Sequence, residues 1–156
     1  MDLASLESDE LAKATEEVRA LAKADPVAFW HVQAPDGPDG RPLWDYANPS
    51  QLAFHKSQAR TRVFCGGNSA GKTEACCREL AYWLTGRHPF RQTPKVRMDI
   101  RYYALNYGKI REIVIPKLMR CLPDGMIDKS RGRDGYNREE KILYVRCPWD
   151  REPHRI

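Results

Sequence analysis

The chain alternates between stretches with the apolar spacing of helices and short apolar runs that suit strands. From about Ser5 to Ala24, apolar residues recur at 3, 6, 11, 14, 18, 21 and 22. This predicts an amphipathic helix with an acidic outer face, stopped by Asp25-Pro26. Such a helix is either a packing element or a partner-binding arm, and packing is the simpler reading. Pro35 to Pro42 reads as a loop and a boundary, dividing an N-terminal helix and loop (1–42) from the rest (43–156). Asn48 or Ser50 is then placed to cap a short helix bringing Gln51, Leu52, Phe54 and His55 close to Arg62-Val63-Phe64-Cys65, a largely apolar run that suits a buried strand.

Between Lys72 and Thr85 the apolar positions are 76, 77, 80, 81 and 84, which is helical spacing, with Gly86 as a C-terminal stop. Met98 to Leu105 reads as a second strand through its aromatic and apolar end. Tyr107 to Leu122 is helical again, with Pro116 expected to kink or split it and Pro123 to end it. Asp124 to Glu140 is polar and glycine-bearing, hence a loop or hairpin tip. Lys141 to Cys147 is a third strand ended by Pro148, and the tail from Trp149 carries no clear pattern. No internal repeat is present.

The connection between the first strand and its helix carries the chemistry. Gly66-Gly67-Asn68-Ser69-Ala70-Gly71-Lys72-Thr73 fits G-x-x-x-x-G-K-[ST], the phosphate-cradling P-loop, in the required strand–loop–helix context. Gly66 and Gly71 are expected to take positive φ, so that the backbone curls around a phosphate and turns N–H groups inward. The positive end of the following helix points at the same spot. Lys72 would reach the β- and γ-phosphates and the Thr73 hydroxyl would ligate Mg²⁺. The Gln51 amide, with a donor and an acceptor, matches adenine N6 and N7. On spacing alone it is equally well a surface amide.

Composition narrows the class. At 156 residues and 42% hydrophobic, the chain can form one ordinary domain. It has no apolar stretch near the ~20 residues of a membrane helix, and Met1 to Glu7 lacks the features of a secretory signal. A cytoplasmic protein is the expectation. Cysteines 65, 76, 77, 121 and 147 show no metal-finger spacing and read as small buried hydrophobes. Residues 1–50 hold 4 basic against 10 acidic groups, whereas residues 86–156 hold 17 against 9, a net of +8. The basic half suits a polyanion. Arg131, Arg133 and Arg138, in a glycine-bearing loop, are the first candidates for duplex backbone contacts, with a merely solvated hairpin as the equal alternative.

A hydrolysing P-loop ATPase also needs an apolar strand ending in Asp, usually Asp-Glu, to hold Mg²⁺ and polarise water. The sequence offers none. Arg146-Cys147-Pro148-Trp149 separates Ile142–Val145 from Asp150, and Asp99 precedes its strand. The catalytic carboxylates are therefore expected beyond residue 156, or not at all.

Gln51 to Lys56, Arg60 to Phe64 and Gly66 to Ala75 together resemble the start of the ATPase domain in large terminase subunits of tailed bacteriophages. The likeness continues through the helix closing with Leu84-Thr85-Gly86-Arg87-His88-Pro89, and through Pro116-Lys117-Leu118 to Leu122-Pro123. It covers about residues 43 to 127. The resemblance implies the ATP-driven motor that threads double-stranded DNA into a procapsid, with Lys72 and Thr73 as its Walker A residues, Gln51 as the adenine contact, and a nuclease domain following. It further implies Mg²⁺-ATP as cofactor, a portal protein and a small terminase subunit as partners, a homo-oligomer in the full-length form, and a phage- or prophage-encoded protein of the host cytoplasm. Three features depart from the family. Many members carry Arg where Ser69 or Ala70 stands, the acidic pair and coupling motif are not reached, and the nuclease carboxylates are absent. Past about Asp128 the resemblance ends.

The expected fold is accordingly α/β, a P-loop NTPase-like three-layer sandwich, incomplete at its C-terminus. Its mostly parallel sheet would have residues 62–65 at the centre and the helix from 72 packed upon it. The expected function is the ATP-binding part of a terminase motor, an ATPase in its full-length form. The rival readings are a small P-loop kinase, which would need lid arginines such as Arg131 and Arg133 and an acidic base, and a non-catalytic nucleotide-binding module.

Overall fold

The computed structural model describes the backbone of residues 3–104 and 106–156, and side chains from residue 9 onward except those of Leu105 and Arg133. The side-chain roles expected of Leu3, Leu6, Leu105 and Arg133 therefore fall on side chains outside the described set. The helices are α1 (Leu3–Ala24), α2 (Pro26–Phe29), α3 (Pro49–Lys56), α4 (Lys72–Thr85), α5 (Tyr107–Lys109) and α6 (Ile115–Cys121). The strands are β1 (Tyr136–Asn137), β2 (Ile142–Val145) and β3 (His154–Arg155).

Helix α4 is enclosed by the rest of the molecule. Cys77, Ala81 and Leu84 form its part of the core, with Leu118 and Cys121 of α6, Leu143 and Val145 of β2, and Val27 and Trp30 from α2 and just beyond it. Residues before the loop at 35–42 thus contribute to the same core as α4. The two long partners run antiparallel, because Glu74 meets Lys117 at 3.4 Å and the Cys77 thiol lies 3.9 Å from the Val114 carbonyl. Arg78 is buried as well, its guanidinium 4.4 Å from the Trp30 ring and bonded to Glu74 and the Pro26 carbonyl. Helix α1 packs differently from its pattern. Thr15 and Ala22 face inward, while Leu11 and Leu21 are exposed.

Helix ends follow local chemistry. Asn48 caps α3 in a reciprocal box with Gln51, each side chain accepting the other's backbone N–H at 2.9 Å, and Pro49 occupies the first position. Helix α4 ends at Gly86 (φ 64), whose N–H donates to the Trp83 carbonyl while the Arg87 N–H donates to that of Tyr82. This is a Schellman stop. Ahead of Pro116 the chain widens into a π turn, Ile110–Val114, in which the Ile115 N–H reaches the Ile110 carbonyl. Proline lacks an N–H and crowds the preceding turn, so the strain is taken up there as a local widening rather than a break.

The sheet differs from the parallel arrangement expected. It has the order β1-β2-β3 and is antiparallel throughout, with Tyr136 opposite Leu143 and Val145 opposite His154. Connections as short as those between these strands can join only antiparallel neighbours. The second expected strand forms only at its start. Asp99 bridges in parallel to Arg155, with the Ile100 N–H donating to the Arg155 carbonyl at 2.8 Å. Beyond Ile100 the segment borders an open cleft of about 610 Å³ lined by Ile110, Leu118 and Ile142. Residues 62–65 pair with no strand among those described. They keep a period-two alternation nonetheless, with Arg62 and Phe64 half-buried and Val63 81% exposed. The expectation of buried thiols holds for Cys77 and Cys121, whereas Cys76 and Cys147 are half-buried and Cys65 is exposed.

The tail, unreadable from its pattern, closes the structure. Trp149 packs so closely on Gly86 that a Cβ there would lie 2.4 Å from its ring. Gly86→Ala thus meets two penalties, a left-handed φ and a clash with a ring. We expect it to destabilise the fold by about 2 kcal/mol, measured as a lower denaturant midpoint than for wild type.

Candidate functional site

The P-loop is the turn between the extended segment 62–67 and α4. Its left-handed residues are Ser69 (φ 64) and Gly71 (φ 76). Gly66 does not take positive φ, contrary to expectation. Its lack of a side chain matters through proximity, since a Cβ there would come within 3.0 Å of that of Ala70. The left-handed position inside the loop falls on Ser69. Gly67, Asn68 and Ser69 lie exposed at the tip, and the Ala70 N–H donates to the Gly67 carbonyl. Lys72, the first residue of α4, folds back over the loop, donating from Nζ to the carbonyls of Gly66 (2.7 Å) and Gly67 (2.6 Å). Thr73 follows, half-buried, in the first turn.

Gln51 is brought to this loop, and it is not a surface amide. It is buried, its Oε1 accepts the Asn48 N–H, and its Nε2 donates to the Gly71 carbonyl at 3.1 Å. A Cβ on Gly71 would lie 2.4 Å from that Nε2. Position 71 therefore needs glycine both for its φ and for Gln51. The amide joins the cap of α3 to the start of α4. The adenine role that the resemblance implies would have to use its second N–H and the second lone pair of its oxygen.

Beneath the loop lies a buried carboxylate that sequence reasoning missed. Glu79, 7% exposed, accepts hydrogen bonds from His55 Nδ1 (2.8 Å), His88 Nε2 (3.2 Å), Trp83 Nε1 (2.9 Å) and the Arg62 guanidinium. Burial alone would push its pKa up. The four donors outweigh burial and hold the carboxyl far below the ordinary range. Arg62 also donates to the Phe54 carbonyl at 3.0 Å, and the Phe54 and Phe64 rings stack 5.5 Å apart. The expectation that α3 lies along residues 62–65 thus matches the structure. A glutamate on a helix reads as solvated by pattern. The only signal was its place one residue before the apolar pair 80–81.

His31 completes the cluster, stacked 5.1 Å from the Tyr82 ring and edge-on to His55 and Phe90. Burial, then the neighbouring His55 and His88, pushes its pKa down to about 4. Neither of its ring nitrogens has a partner among the described residues.

The other acid near the loop, Glu74, is held by Arg78 (3.2 Å), Lys117 (3.4 Å) and the Cys121 thiol (3.6 Å). No group of three or more His, Cys, Asp or Glu side chains is placed to hold a metal ion among the described residues. Thr73 is the residue available to a divalent ion accompanying a phosphate. Of the three candidate arginines of the basic half, Arg131 and Arg138 have different surroundings, and the Arg133 side chain lies outside the described residues. Arg131 is engaged by Glu152 at 2.8 Å and lies over the Tyr144 ring, while Arg138 stands at the β1–β2 hairpin tip. No helix is long and apolar enough to cross a membrane among the described residues. The chain matches no protein-family model, no curated protein and no solved structure.

Two expectations follow. Since Gln51 holds the loop rather than standing free, Gln51→Ala should weaken ATP and GTP binding alike, by about 1–2 kcal/mol. Titration calorimetry with both nucleotides checks this, and a loss confined to ATP would instead assign the amide to adenine. Stability should also fall on acidification. His31 stays neutral in the fold down to about pH 4, whereas the unfolded chain takes up the proton near pH 6.5. The folded form is therefore disfavoured progressively between those values and keeps its full stability above them. Halved for partial exposure, the effect is about 2 kcal/mol. His31→Phe, which retains the stack on Tyr82, should lessen the fall of the denaturant midpoint across that window, the remainder including His154, whose pKa burial also lowers.

Proposed function

We propose that this chain is the ATP-binding front portion of a large terminase subunit, the ATP-driven motor that packages viral double-stranded DNA into procapsids. The observation that carries the nucleotide part is the loop itself. A lysine at the head of a 14-residue helix folds over a turn with left-handed residues at 69 and 71, and that turn is braced from behind by Gln51. These residues fit a nucleoside triphosphate. The Lys72 ammonium sits at the mouth of the loop on carbonyls, where a phosphate oxygen is a stronger partner for it. The first N–H groups of α4 have no acceptor within the helix and carry its positive end.

In this reading Gly66 to Gly71 would wrap the phosphates, Lys72 would neutralise them, and Thr73 would ligate Mg²⁺. A bound Mg²⁺-ATP supplies the free energy of phosphoryl transfer. The chain's own part is to bind, orient and neutralise. The terminase part rests on the resemblance over about residues 43 to 127, together with the placement of α3 and Gln51 against the loop. A parallel P-loop sandwich belongs to the same proposal. In it, residues 62–65, already extended and alternating, would take a place between neighbouring strands. Duplex DNA, a portal protein and a small terminase subunit are the partners this reading implies, with a homo-oligomer in the full-length form and the host cytoplasm as its place of work.

Binding without turnover is the test. No acidic strand end accompanies the loop, so the purified 156-residue chain should bind Mg²⁺-ATP in calorimetry and release phosphate no faster than Lys72→Ala. That variant should bind at least about tenfold more weakly, the loss of a charge-assisted hydrogen bond. Failure of the wild type to bind would sink the nucleotide reading. Robust turnover abolished by Lys72→Ala would place the catalytic acid within these residues.

A further inference from the structure

A second surface of the molecule is built from aromatic rings and cations. Tyr107 and Arg111, one turn apart at the head of the second long helical stretch, face the β1–β2 hairpin, which supplies Tyr136, Arg138 and Lys141. With Gly108 they line a pocket of about 400 Å³ that has no carboxylate in its wall. The hairpin tip is ordered by Asn137, whose Oδ1 accepts the N–H groups of Glu139 and Glu140. That turn leaves Lys141 in a left-handed conformation (φ 60), with its ammonium 4.2 Å from the centre of the Tyr107 ring. Tyr107 is 53% exposed, and Arg111, Arg138 and Lys141 are exposed. Tyr136 is anchored against the core.

Three acids adjoin the pocket without entering its wall. Glu140 accepts the Tyr144 hydroxyl, Glu112 meets Arg111 at 3.3 Å in an exposed pair that weakens the field of that cation, and Glu139 is exposed beside Arg138. The pocket also stands apart from the P-loop. Glu74, at the loop end of α4, meets Lys117, and the chain from there back to Tyr107 runs away from the loop. At helical rise those ten residues span roughly 15 Å.

We propose that this pocket binds single-stranded nucleic acid, one base lying on Tyr107 and the flanking phosphates on Arg111, Arg138 and Lys141. The chemistry selects the ligand. Tyrosine faces beside three cations suit a molecule carrying both a flat ring and a phosphate, as each nucleotide of an unpaired strand does. A duplex keeps its base faces within the stack and would use the cations alone. The site goes beyond the proposed function and does not depend on the P-loop binding nucleotide.

Fluorescence anisotropy with labelled oligo(dT) of about 20 nucleotides, longer than one such binding module covers, and with a duplex of equal length, tests it on the full chain. Wild type should bind oligo(dT) more tightly than the duplex. Tyr107→Ala should weaken the single strand about tenfold or more, and Tyr107→Trp should retain it, since stacking needs only an aromatic face. The triple change Arg111→Gln, Arg138→Gln and Lys141→Gln should lower the log–log salt slope by about 2, at roughly 0.7 per phosphate contact. Mg²⁺-ATP binding measured on Tyr107→Ala reports separately on the P-loop. If Tyr107→Ala fails to fold, Tyr107→Trp and the charge triple still decide. The proposal is overturned if wild type does not bind oligo(dT), if Tyr107→Ala binds within twofold of wild type, or if duplex and single strand bind equally with an unchanged slope in the triple variant.

Discussion

The Glu79 carboxylate is the group on which the arrangement around the P-loop depends. A buried charge without partners costs several kcal/mol, so its position is tolerable only while its donors stay in place. Those donors come from four places along the chain: His55 on α3, Arg62 on the segment entering the loop, Trp83 on α4 itself, and His88 beyond the helix. Satisfying one carboxylate therefore fixes α3, the entry segment and the post-helical turn relative to α4. The loop lies between two anchored ends, since Arg62 holds its entry and its exit is the helix that carries Glu79. Ionised Glu79 and neutral His31 both belong to the folded state, which ties the integrity of the loop's support to pH in one direction only.

A second clasp acts at the loop itself. Gln51 is bonded at once to the cap of α3 and to the Gly71 carbonyl, so the capping box of one helix extends to the start of the next. Lys72 completes the turn from the other side by bridging Gly66 and Gly67. These bonds hold the turn in one shape, and a loop so held loses less conformational freedom when it binds a ligand.

Local chemistry was legible in the sequence, and long-range pairing was not. The helix from Lys72 to Thr85, its stop at Gly86 and the disturbance at Pro116 depend on residues a few positions apart, and each appears where the pattern puts it. The short helix carrying Gln51 beside residues 62–65 was readable for the same reason. Glu79 was hidden because its partners lie 24, 17 and 9 residues away as well as in the next turn, and no periodicity encodes them. Strand direction was hidden too. The run 142–145 reads as a strand whatever it pairs with, and its antiparallel neighbours are set by the hairpin at 138–141 and by a tail that carries no pattern. Residues 62–65 show the limit from the other side, since an apolar run states a preference for extended backbone but not a partner.

Charge illustrates how far composition can mislead about a surface. The net +8 of residues 86–156 suggests an even basic face, yet several of its arginines are spent on carboxylates: Arg87 on Asp25, Arg97 on Asp99 and Arg131 on Glu152. Arg131 looked from sequence like a member of one set with Arg138, and the fold separates them by giving the first an acid and the second two tyrosines. A pairing with an exposed carboxylate adds little stability, but it weakens the field that a phosphate would feel. What remains concentrated is the hairpin tip with the start of the second helical stretch, where two tyrosines and no carboxylate line the pocket beside the cations, although Arg111 meets Glu112 outside it. Since that stretch packs antiparallel on α4, the loop and the cationic pocket occupy separated parts of one pair of helices, so the two proposed sites would not occlude each other.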